Sequence, residues 1–153
     1  KMMEIRGIEF AYVTMHCGLS NFREIDVEDL TKHKMDSEEM HVEQEACDVI
    51  NRARRENHKI VAVGTTVQRV LETAVSTDGQ LKEYHGWTNR FIFPPHDFHL
   101  ADAMISNFHL PYSVMLMLTA AFGGYDYTMK AYEEALKNDY KFGPFGDALL
   151  IID

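Results

Sequence analysis

The sequence predicts a mixed α/β protein with a largely parallel sheet flanked by helices. Residues 43–57, 59–64 and 65–75 alternate between helical and strand patterns, and this α-β-α order is typical of parallel strand pairing. Residues 101–105 have the composition of a short buried strand, and residues 114–122 are apolar on nearly every helical face. A helix without a polar face is buried, so we expect this helix to pack behind the sheet.

Length, charge and cysteine content describe one globular domain. The chain has 153 residues, of which 46% are hydrophobic and 25% charged, and one core can form at this size without disulfides. A net charge of −9 argues against a protein that holds nucleic acid by charge alone. Cys17 and Cys47 have no C-x-x-C spacing, and low cysteine content is typical of the cytoplasm. The sequence contains no signal-peptide pattern, and the apolar run 114–122 is too short to span a bilayer.

The elements before residue 60 follow from hydrophobic spacing and helix caps. Loose apolar alternation over residues 8–15 predicts a buried strand, and Asp26 is a candidate cap for a helical turn over 26–30. Residues 38–42 are a candidate short strand. Helix 43–57 places its apolar residues on one face, at Ala46, Val49, Ile50 and Ala53.

The later elements follow in the same way. Residues 59–64 resemble a fully buried, β-branched strand, and helix 65–75 begins at Thr65 or Thr66 as its cap. A turn at Asp78-Gly79 interrupts the polar loop after that helix. The remaining predicted elements are a strand over 90–93 that ends at Pro94-Pro95, the strand 101–105, the helix 114–122 capped by Ser113, the helix 125–139 and the strand 148–152.

Gly64-Thr65-Thr66 lies between a predicted strand and a predicted helix. Helix N-termini bind phosphate or carboxylate through free N–H groups and partial positive charge, although the lysine and glycine spacing of a P-loop is missing here. The plainer alternative is that a threonine only caps the helix. Arg69 could reach the same anion, or it could be a surface arginine that pairs with Glu72 at i+3.

Two histidines end predicted strands and are candidates for proton transfer. His16 and His109 could serve as base and acid, or each could be hydrogen-bonded to backbone in a structural role. Asn107 is two residues from His109, so an extended backbone would point both side chains the same way. Trp87 could stack on a base, although a position in the core or at its rim is the plainer alternative. The H-x-x-H pair at 96–99 lacks a third ligand, so we expect no metal site there.

Six stretches carry a resemblance to a known family in the same order along the chain. They are Val13-Thr14-Met15-His16-Cys17-Gly18-Leu19; His33-Lys34-Met35 with Ser37-Glu38; Val63-Gly64-Thr65-Thr66 with Arg69 and Leu71-Glu72; Gly86-Trp87-Thr88 with Phe91-Ile92; Asn107-Phe108-His109-Leu110-Pro111 with Ser113 and Leu116-Met117-Leu118; and Phe145-Gly146-Asp147-Ala148. Together they resemble the S-adenosylmethionine:tRNA ribosyltransferase-isomerase (QueA) family of queuosine biosynthesis. The sequence departs from the family pattern at Ser20, Asn21, Asp36, Gly143 and Pro144.

The resemblance implies a longer protein and a particular reaction. Family members have an α/β domain with an inserted β-barrel, so residues 1–153 are expected to be a single α/β fragment from the C-terminal portion. The implied reaction moves the ribosyl moiety of S-adenosylmethionine to 7-aminomethyl-7-deazaguanine at the tRNA wobble position. The expected partners are the tRNA anticodon stem-loop and S-adenosylmethionine as co-substrate, with no separate cofactor, no metal and no membrane, in the cytoplasm.

The resemblance also implies which residues form the site. His16 and His109 are the catalytic candidates, and the substrate-binding candidates are Thr65, Thr66, Arg69, Trp87 and Asn107. We expect His16, Thr65, Thr66, Arg69 and His109 to surround one cleft, and we expect exposed apolar surface where the rest of the longer protein would pack. Two alternatives are a binding module without catalysis and a scaffold for a site in the other half.

Overall fold

The protein contains two three-stranded sheets with helices packed around them, as described for residues 1–152 by a computed structural model. The strands are β1 (Thr14–Met15), β2 (Glu38–Val42), β3 (Val61–Val63), β4 (Tyr84–Thr88), β5 (Ala103–Asn107) and β6 (Ala148–Ile152). The helices are α1 (Met2–Ile5), α2 (Gln44–Arg55), α3 (Thr65–Ala74), α4 (Val114–Gly123) and α5 (Tyr125–Lys137), with short 3-10 turns at Leu19–Phe22 and Leu30–Lys32. The predicted α/β class is confirmed.

The first sheet has the strand order β1-β2-β4, and both pairings are antiparallel. Side chains alternate across β2, so Glu38, Met40 and Val42 are buried while Glu39 and His41 lie on the outer face. The strand predicted at residues 38–42 is confirmed. The carboxylate of Glu38 on this buried face requires a charged or hydrogen-bonding partner inside the protein.

The N-terminal strand is much shorter than predicted. Only Thr14–Met15 pairs with β2, and in the described chain residues 8–13 belong to neither sheet. Ile8 and Phe10 are exposed, and 79% of Tyr12 is accessible to solvent. The prediction of a buried strand over residues 8–15 is therefore wrong for most of its length. Apolar alternation stabilises a strand only where a neighbouring strand is available for pairing.

The second sheet has the strand order β3-β5-β6 and contains the parallel pairing that the sequence predicts. β3 runs parallel to β5, whereas β6 pairs with β5 antiparallel. Within residues 1–152 the β3–β5 pairing is the parallel one, so the prediction of a largely parallel sheet is wrong. Parallel strands need a long crossover, which α3 and the segments after it supply between β3 and β5.

The outer face of the second sheet is apolar and open to solvent. Val61 is 48% exposed and Val63 62% exposed, so β3 is not buried on both faces as its β-branched sequence predicted. The register places Leu150 and Ile152 of β6 on the same face, and both are exposed. A contiguous apolar strip of this kind is typical of a contact surface. What covers it stays a prediction.

The helices agree well with their predicted periodicity. The buried face of α2 includes Ala46 and Ile50, as its spacing indicates. The apolar helix α4 is buried along much of its length, and its predicted cap is confirmed. Ser113 Oγ accepts a hydrogen bond from the backbone N–H of Leu116 at 3.1 Å and donates one to the carbonyl of Leu110 at 2.7 Å.

Three local predictions are wrong because tertiary pairing or backbone geometry decides them. Gly64, with φ of 103°, precedes α3, and neither threonine side chain caps that helix. The turn after β1 is capped by Asp29 rather than Asp26, through the N–H of Thr31 at 3.0 Å. The strand near Trp87 is β4, because its residues pair with β2, whereas residues 90–93 do not form a strand.

The main core lies between the two sheets. Its fully buried members include Met40 of β2, Leu71 of α3 and Met104 of β5, and Leu118 of α4 packs against them. α3 therefore contacts both sheets. In the described part of the chain, no helix is long and apolar enough to cross a membrane.

Replacing Ser113 with alanine should destabilise the turn that enters α4. The hydroxyl satisfies one N–H of the first helical turn and one carbonyl of the preceding loop. We expect Ser113→Ala to lower the free energy of unfolding by about 1 kcal/mol in urea titrations. Ser37→Ala at an exposed position is the matched control and should change little. Equal stability of the two variants would contradict the cap.

Candidate functional site

A small cleft of about 20 Å³ opens where the N-termini of α3 and α4 approach each other. Thr65 and Thr66 contribute from α3, and Val114 and Met115 contribute from α4. The lining also includes Asn21, Met35, Arg69, Arg90, Phe91, Ile92 and Leu118. The first turn of a helix has free N–H groups and a partial positive charge. Two such turns at one cleft favour a negatively charged ligand group.

Gly64 sets the direction in which α3 leaves the sheet. Its backbone N–H donates to the carbonyl of Ile105 at 2.7 Å, which extends the β3–β5 ladder by one bond. The chain then turns at a φ of 103°, a value that glycine adopts without the strain of a side chain. Thr65 and Thr66 follow at once, so the turn places the start of α3 at the cleft.

A buried ion pair between Glu38 and Arg69 forms one wall of this site. Both side chains are almost fully buried, at 1% and 5% exposure, and Arg69 Nη2 donates to Glu38 Oε2. The sulfur atoms of Met15 and Met35 lie 3.2 and 3.4 Å from the two terminal nitrogens of Arg69. Arg69 is therefore not a surface residue, and Glu38 rather than Glu72 is its partner; its contact with an anion stays a prediction.

The second oxygen of Glu38 holds the loop that follows β1. Glu38 Oε1 accepts from the backbone N–H of Gly18 at 2.5 Å, from Asn21 Nδ2 at 2.5 Å and from Ser20 Oγ at 3.3 Å. The carboxylate thus joins β2, α3 and the loop through Asn21, which itself lines the cleft. Sequence reasoning missed the role of Glu38, although its place on the apolar face of a strand was a usable signal.

Arg90 is the cationic residue of the cleft whose charge is not neutralised by an acidic neighbour. No described residue forms a salt bridge with it, and one of its terminal nitrogens donates to the backbone carbonyl of Glu72. Arg90 is exposed, whereas Glu38 compensates the charge of Arg69. Arg90 was not among the site residues predicted from the sequence, because it lies between Thr88 and Phe91 and is not itself a motif residue.

Both histidines of the H-x-x-H pair, His96 and His99, contact the buried carboxylate of Glu72. Glu72 Oε2 lies 2.9 Å from His99 Nδ1 and 3.2 Å from His96 Nε2, and Oε1 accepts from the backbone N–H of His99 at 2.9 Å. Glu72 is fully buried, so these partners supply the hydrogen bonds that its carboxylate needs. The pair therefore attaches the loop before β5 to α3.

His109 is buried beside β5 and lies outside the lining of the cleft. Its Nε2 is 2.6 Å from Ser106 Oγ, and its backbone N–H donates to the hydroxyl of Tyr132 at 3.0 Å. Burial lowers the pKa of His109 from 6.5 to about 4, so the ring is neutral at neutral pH. Asn107 has different partners, the carbonyls of Gly146 and Asp147, so the two side chains do not form a pair.

His16 and Trp87 lie on the first sheet rather than in the cleft. His16 follows β1, is exposed, and donates its backbone N–H to the carbonyl of Glu39 at 2.8 Å. Trp87 stands opposite Glu39 on β4 and is 62% exposed, which excludes the core position considered for it. The structure thus brings Thr65, Thr66 and Arg69 together, while His16, His109, Trp87 and Asn107 lie outside the cleft lining. Their catalytic and binding roles stay predictions.

The fold and the cleft define an α/β protein with a candidate anion-binding site at converging helix N-termini. A family model described as "Queuosine biosynthesis protein" matches residues 1–151. The chain therefore belongs to this family, as the six motifs predicted.

The relatives carry enzyme names and are longer than this chain. A protein from Phocaeicola vulgatus named S-adenosylmethionine:tRNA ribosyltransferase-isomerase is 66% identical over all of this chain, which spans 44% of that relative. A Bacteroides fragilis protein of the same name is 64% identical with the same coverage. The crystal structure of an S-adenosylmethionine tRNA ribosyltransferase from Thermotoga maritima matches with a TM-score of 0.81 at 40% identity, over 99% of this chain and 47% of that one.

Removing only the cation of the buried pair should be far more costly than removing both charges. Arg69→Met leaves the carboxylate of Glu38 buried without its counter-charge, and we expect a loss of about 3–5 kcal/mol in the free energy of unfolding. The double variant Glu38→Gln/Arg69→Met should recover part of that loss. Urea titrations measure both changes.

The surface pair of Arg23 and Asp36 offers the matched control. Its atoms are 3.2 Å apart, but both side chains are more than half exposed, so Arg23→Met should change stability little. If the double variant were no more stable than Arg69→Met, the ion pair would not be the reason for the loss.

The low pKa of His109 makes stability depend on pH in a defined window. An unfolded histidine takes up a proton near pH 6.5, whereas the folded one does so only near pH 4. The neutral ring of His109 therefore contributes its full stabilisation above pH 6.5. This stabilisation, roughly 3 kcal/mol in total, is lost as the pH falls towards 4. We expect His109→Gln to remove this part of the pH dependence, as measured by denaturation at several pH values.

An exposed histidine tests whether the effect is specific. The side chain of His58 is largely accessible to solvent beside Glu56. His58→Gln should therefore leave the change of unfolding free energy between pH 6.5 and 4 as in the unmodified protein. An unchanged slope in His109→Gln would show that the His109 ring is protonated as easily in the folded state as in the unfolded state.

Proposed function

We propose that this chain is part of a tRNA-modifying transferase-isomerase. The proposed reaction transfers the ribosyl moiety of S-adenosylmethionine to 7-aminomethyl-7-deazaguanine at the wobble position of tRNA, and gives epoxyqueuosine. Family membership supports this proposal, as do relatives named S-adenosylmethionine:tRNA ribosyltransferase-isomerase that are 60–66% identical. The proposed substrates are tRNA, recognised at its anticodon stem-loop, and S-adenosylmethionine. A tRNA substrate implies a cytoplasmic location.

The observation that carries the proposal is the convergence of separate motifs on one cleft. Four of the six motif stretches contribute residues to its lining, although they are far apart in the sequence. They contribute Met35; Thr65, Thr66 and Arg69; Phe91 and Ile92; and Leu118. Convergence of this kind supports a ligand site, because loops that only connect helices and strands are not expected to lie together at one cleft.

The charges at the cleft suit an anionic group. S-adenosylmethionine has a carboxylate, and tRNA has phosphates, and either anion could bind at the first turns of α3 and α4. Arg90 is the proposed cation for this contact, because guanidinium groups bind carboxylate and phosphate with two parallel hydrogen bonds. Arg69 supports the wall through its ion pair with Glu38.

The chemistry also requires proton transfer. The sulfonium of S-adenosylmethionine acidifies its neighbouring C5′ protons, so a base must remove one, and an acid can assist the departure of adenine. His16 and His109 remain the candidates. His16 is exposed and can exchange protons with solvent or substrate, whereas the buried ring of His109 is already engaged with Ser106. His16 is therefore the better candidate for contact with substrate.

The departures from the family pattern do not weaken the cleft. Ser20 and Asn21 both donate to Glu38, so they serve the same loop attachment that the fold requires. Asp36 pairs with Arg23 at the surface. Gly143 has a positive φ of 90° in the turn before β6, where glycine is unstrained, and Pro144 follows it in that turn.

A scaffold role is the second candidate, and the position of the histidines favours it. Neither His16 nor His109 lines the cleft, and the chain spans 44% of the length of its relatives. In this reading the chain is one α/β portion of a longer protein, and the remainder, with the β-barrel that the family resemblance implies, supplies the catalytic groups. A binding module without catalysis is the third reading, and adenine release distinguishes it.

The test is adenine release by the full-length protein with S-adenosylmethionine and tRNA that contains the precursor base. We expect release that depends on both substrates. We further expect Arg90→Ala to raise the KM for one substrate by about tenfold or more, because a hydrogen bond between two charged groups is lost. Chromatography of free adenine over time measures both quantities.

Arg55→Ala provides the matched control, since Arg55 is an exposed residue at the end of α2 and lies outside the cleft. It should leave both KM values unchanged. Absence of adenine release from the folded full-length protein would exclude the transferase reading. Normal kinetics in Arg90→Ala would exclude Arg90 as the anion contact.

A further inference from the structure

The outer face of the first sheet carries three histidines that belong to three different strand segments. The antiparallel register places His41 of β2 directly opposite His85 of β4. Their rings stack with centroids 4.9 Å apart and an angle of 26° between the planes. The ring of His16, after β1, meets His41 edge-on at 5.9 Å. Imidazole rings so close together on a solvent-facing surface are a common basis for metal binding.

A carboxylate completes the group. Glu43 follows β2 as the residue that precedes α2, and its side chain does not cap that helix. Instead Glu43 Oε2 lies 3.3 Å from His85 Nε2. One ligand atom from each of His41, Glu43 and His85 can be chosen so that all three lie within 4.8 Å of one another. None of these residues contributes to the cleft at α3 and α4.

We propose that His41, Glu43 and His85 bind a divalent transition-metal ion of the Zn²⁺ type. Zinc takes tetrahedral ligand sets with bonds of about 2.0–2.2 Å, so neighbouring ligand atoms are about 3.4 Å apart. The observed separation between His85 and Glu43 meets this requirement. Two imidazoles and one carboxylate leave a fourth position open to water. Imidazole ligands disfavour Mg²⁺ and Ca²⁺, which prefer oxygen.

Further acidic groups surround the site and favour a cation. Glu39 Oε1 lies 3.1 Å from His41 Nε2, and Glu83 Oε1 lies 3.9 Å from His85 Nε2. These carboxylates add negative charge beside the proposed ligands, which attracts a cation. The net charge of −9 adds a general attraction for cations.

Metal binding would connect β2, β4 and the start of α2. His41 and His85 come from paired strands, and Glu43 stands at the junction of β2 with α2. Because the unfolded chain does not hold these groups together, a bound ion stabilises the folded state. The spacing of His41 and His85 along the chain matches no metal motif, so only strand register brings the ligands together.

The test uses the 153-residue chain, produced without a polyhistidine tag, and Zn²⁺ as the probe. Calorimetric titration at pH 7.5 should show one equivalent of Zn²⁺, with weaker binding at pH 5.5 because the imidazoles must be neutral to coordinate. His41→Ala and His85→Ala should each weaken binding by about tenfold or more. Zn²⁺ should also raise the Tm of the unmodified chain but not of these variants, and Mg²⁺ should have neither effect.

Matched controls exclude other ligands. His58→Ala and His96→Ala remove histidines outside the group and should leave the affinity unchanged. Cys17→Ser removes the exposed thiol near His16 and should also have no effect. Circular dichroism verifies that each variant is folded. Unchanged affinity in His41→Ala and His85→Ala, loss of binding in Cys17→Ser, or no Zn²⁺ binding by the folded chain would each overturn the proposal.

Discussion

The buried ion pair of Glu38 and Arg69 is the interaction on which the surrounding structure depends. A charge inside a protein is tolerated only when a partner and further hydrogen bonds replace its water. Arg69 occupies one carboxylate oxygen of Glu38, and the loop of Gly18 to Asn21 occupies the other. The pair can therefore exist only when β2, α3 and this loop are assembled together. This requirement couples the first sheet to the helix that begins at the cleft.

Charged side chains of α3 also hold a second loop, on the other side of the site. Arg69 and Glu72 are three residues apart and could pair on a free helix. In the folded protein Arg69 turns to Glu38, whereas Glu72 binds His96 and His99 of the loop before β5. Arg90 is held by the backbone of the same helical turn. Charged residues of α3 thus hold two separate loops in place. Hydrogen bonds from this helix therefore fix the residues around the cleft at its N-terminus.

The distribution of charge explains why the cleft suits an anion in a protein of net negative charge. The cation of Arg69 is balanced internally, so the free positive potential comes from the first turns of α3 and α4 and from Arg90. The acidic residues near the histidines of the first sheet create a potential of the opposite sign on another surface. We therefore propose that one small domain has a cleft for an anion and a separate surface group for a cation.

The sequence by itself determined what local patterns and ordered motifs can determine. The 3.6-residue periodicity of α2, α3 and α5 and the cap at Ser113 depend on neighbours within a few positions, and so they were predictable. The family was predictable because six motifs occur in one order. Only the tertiary structure decided that residues 8–13 stay outside the sheets, that most pairings are antiparallel, and that Arg69 pairs with Glu38. Each of these depends on contacts between residues that are distant in the chain, and no local pattern of apolar or charged residues specifies such a partner.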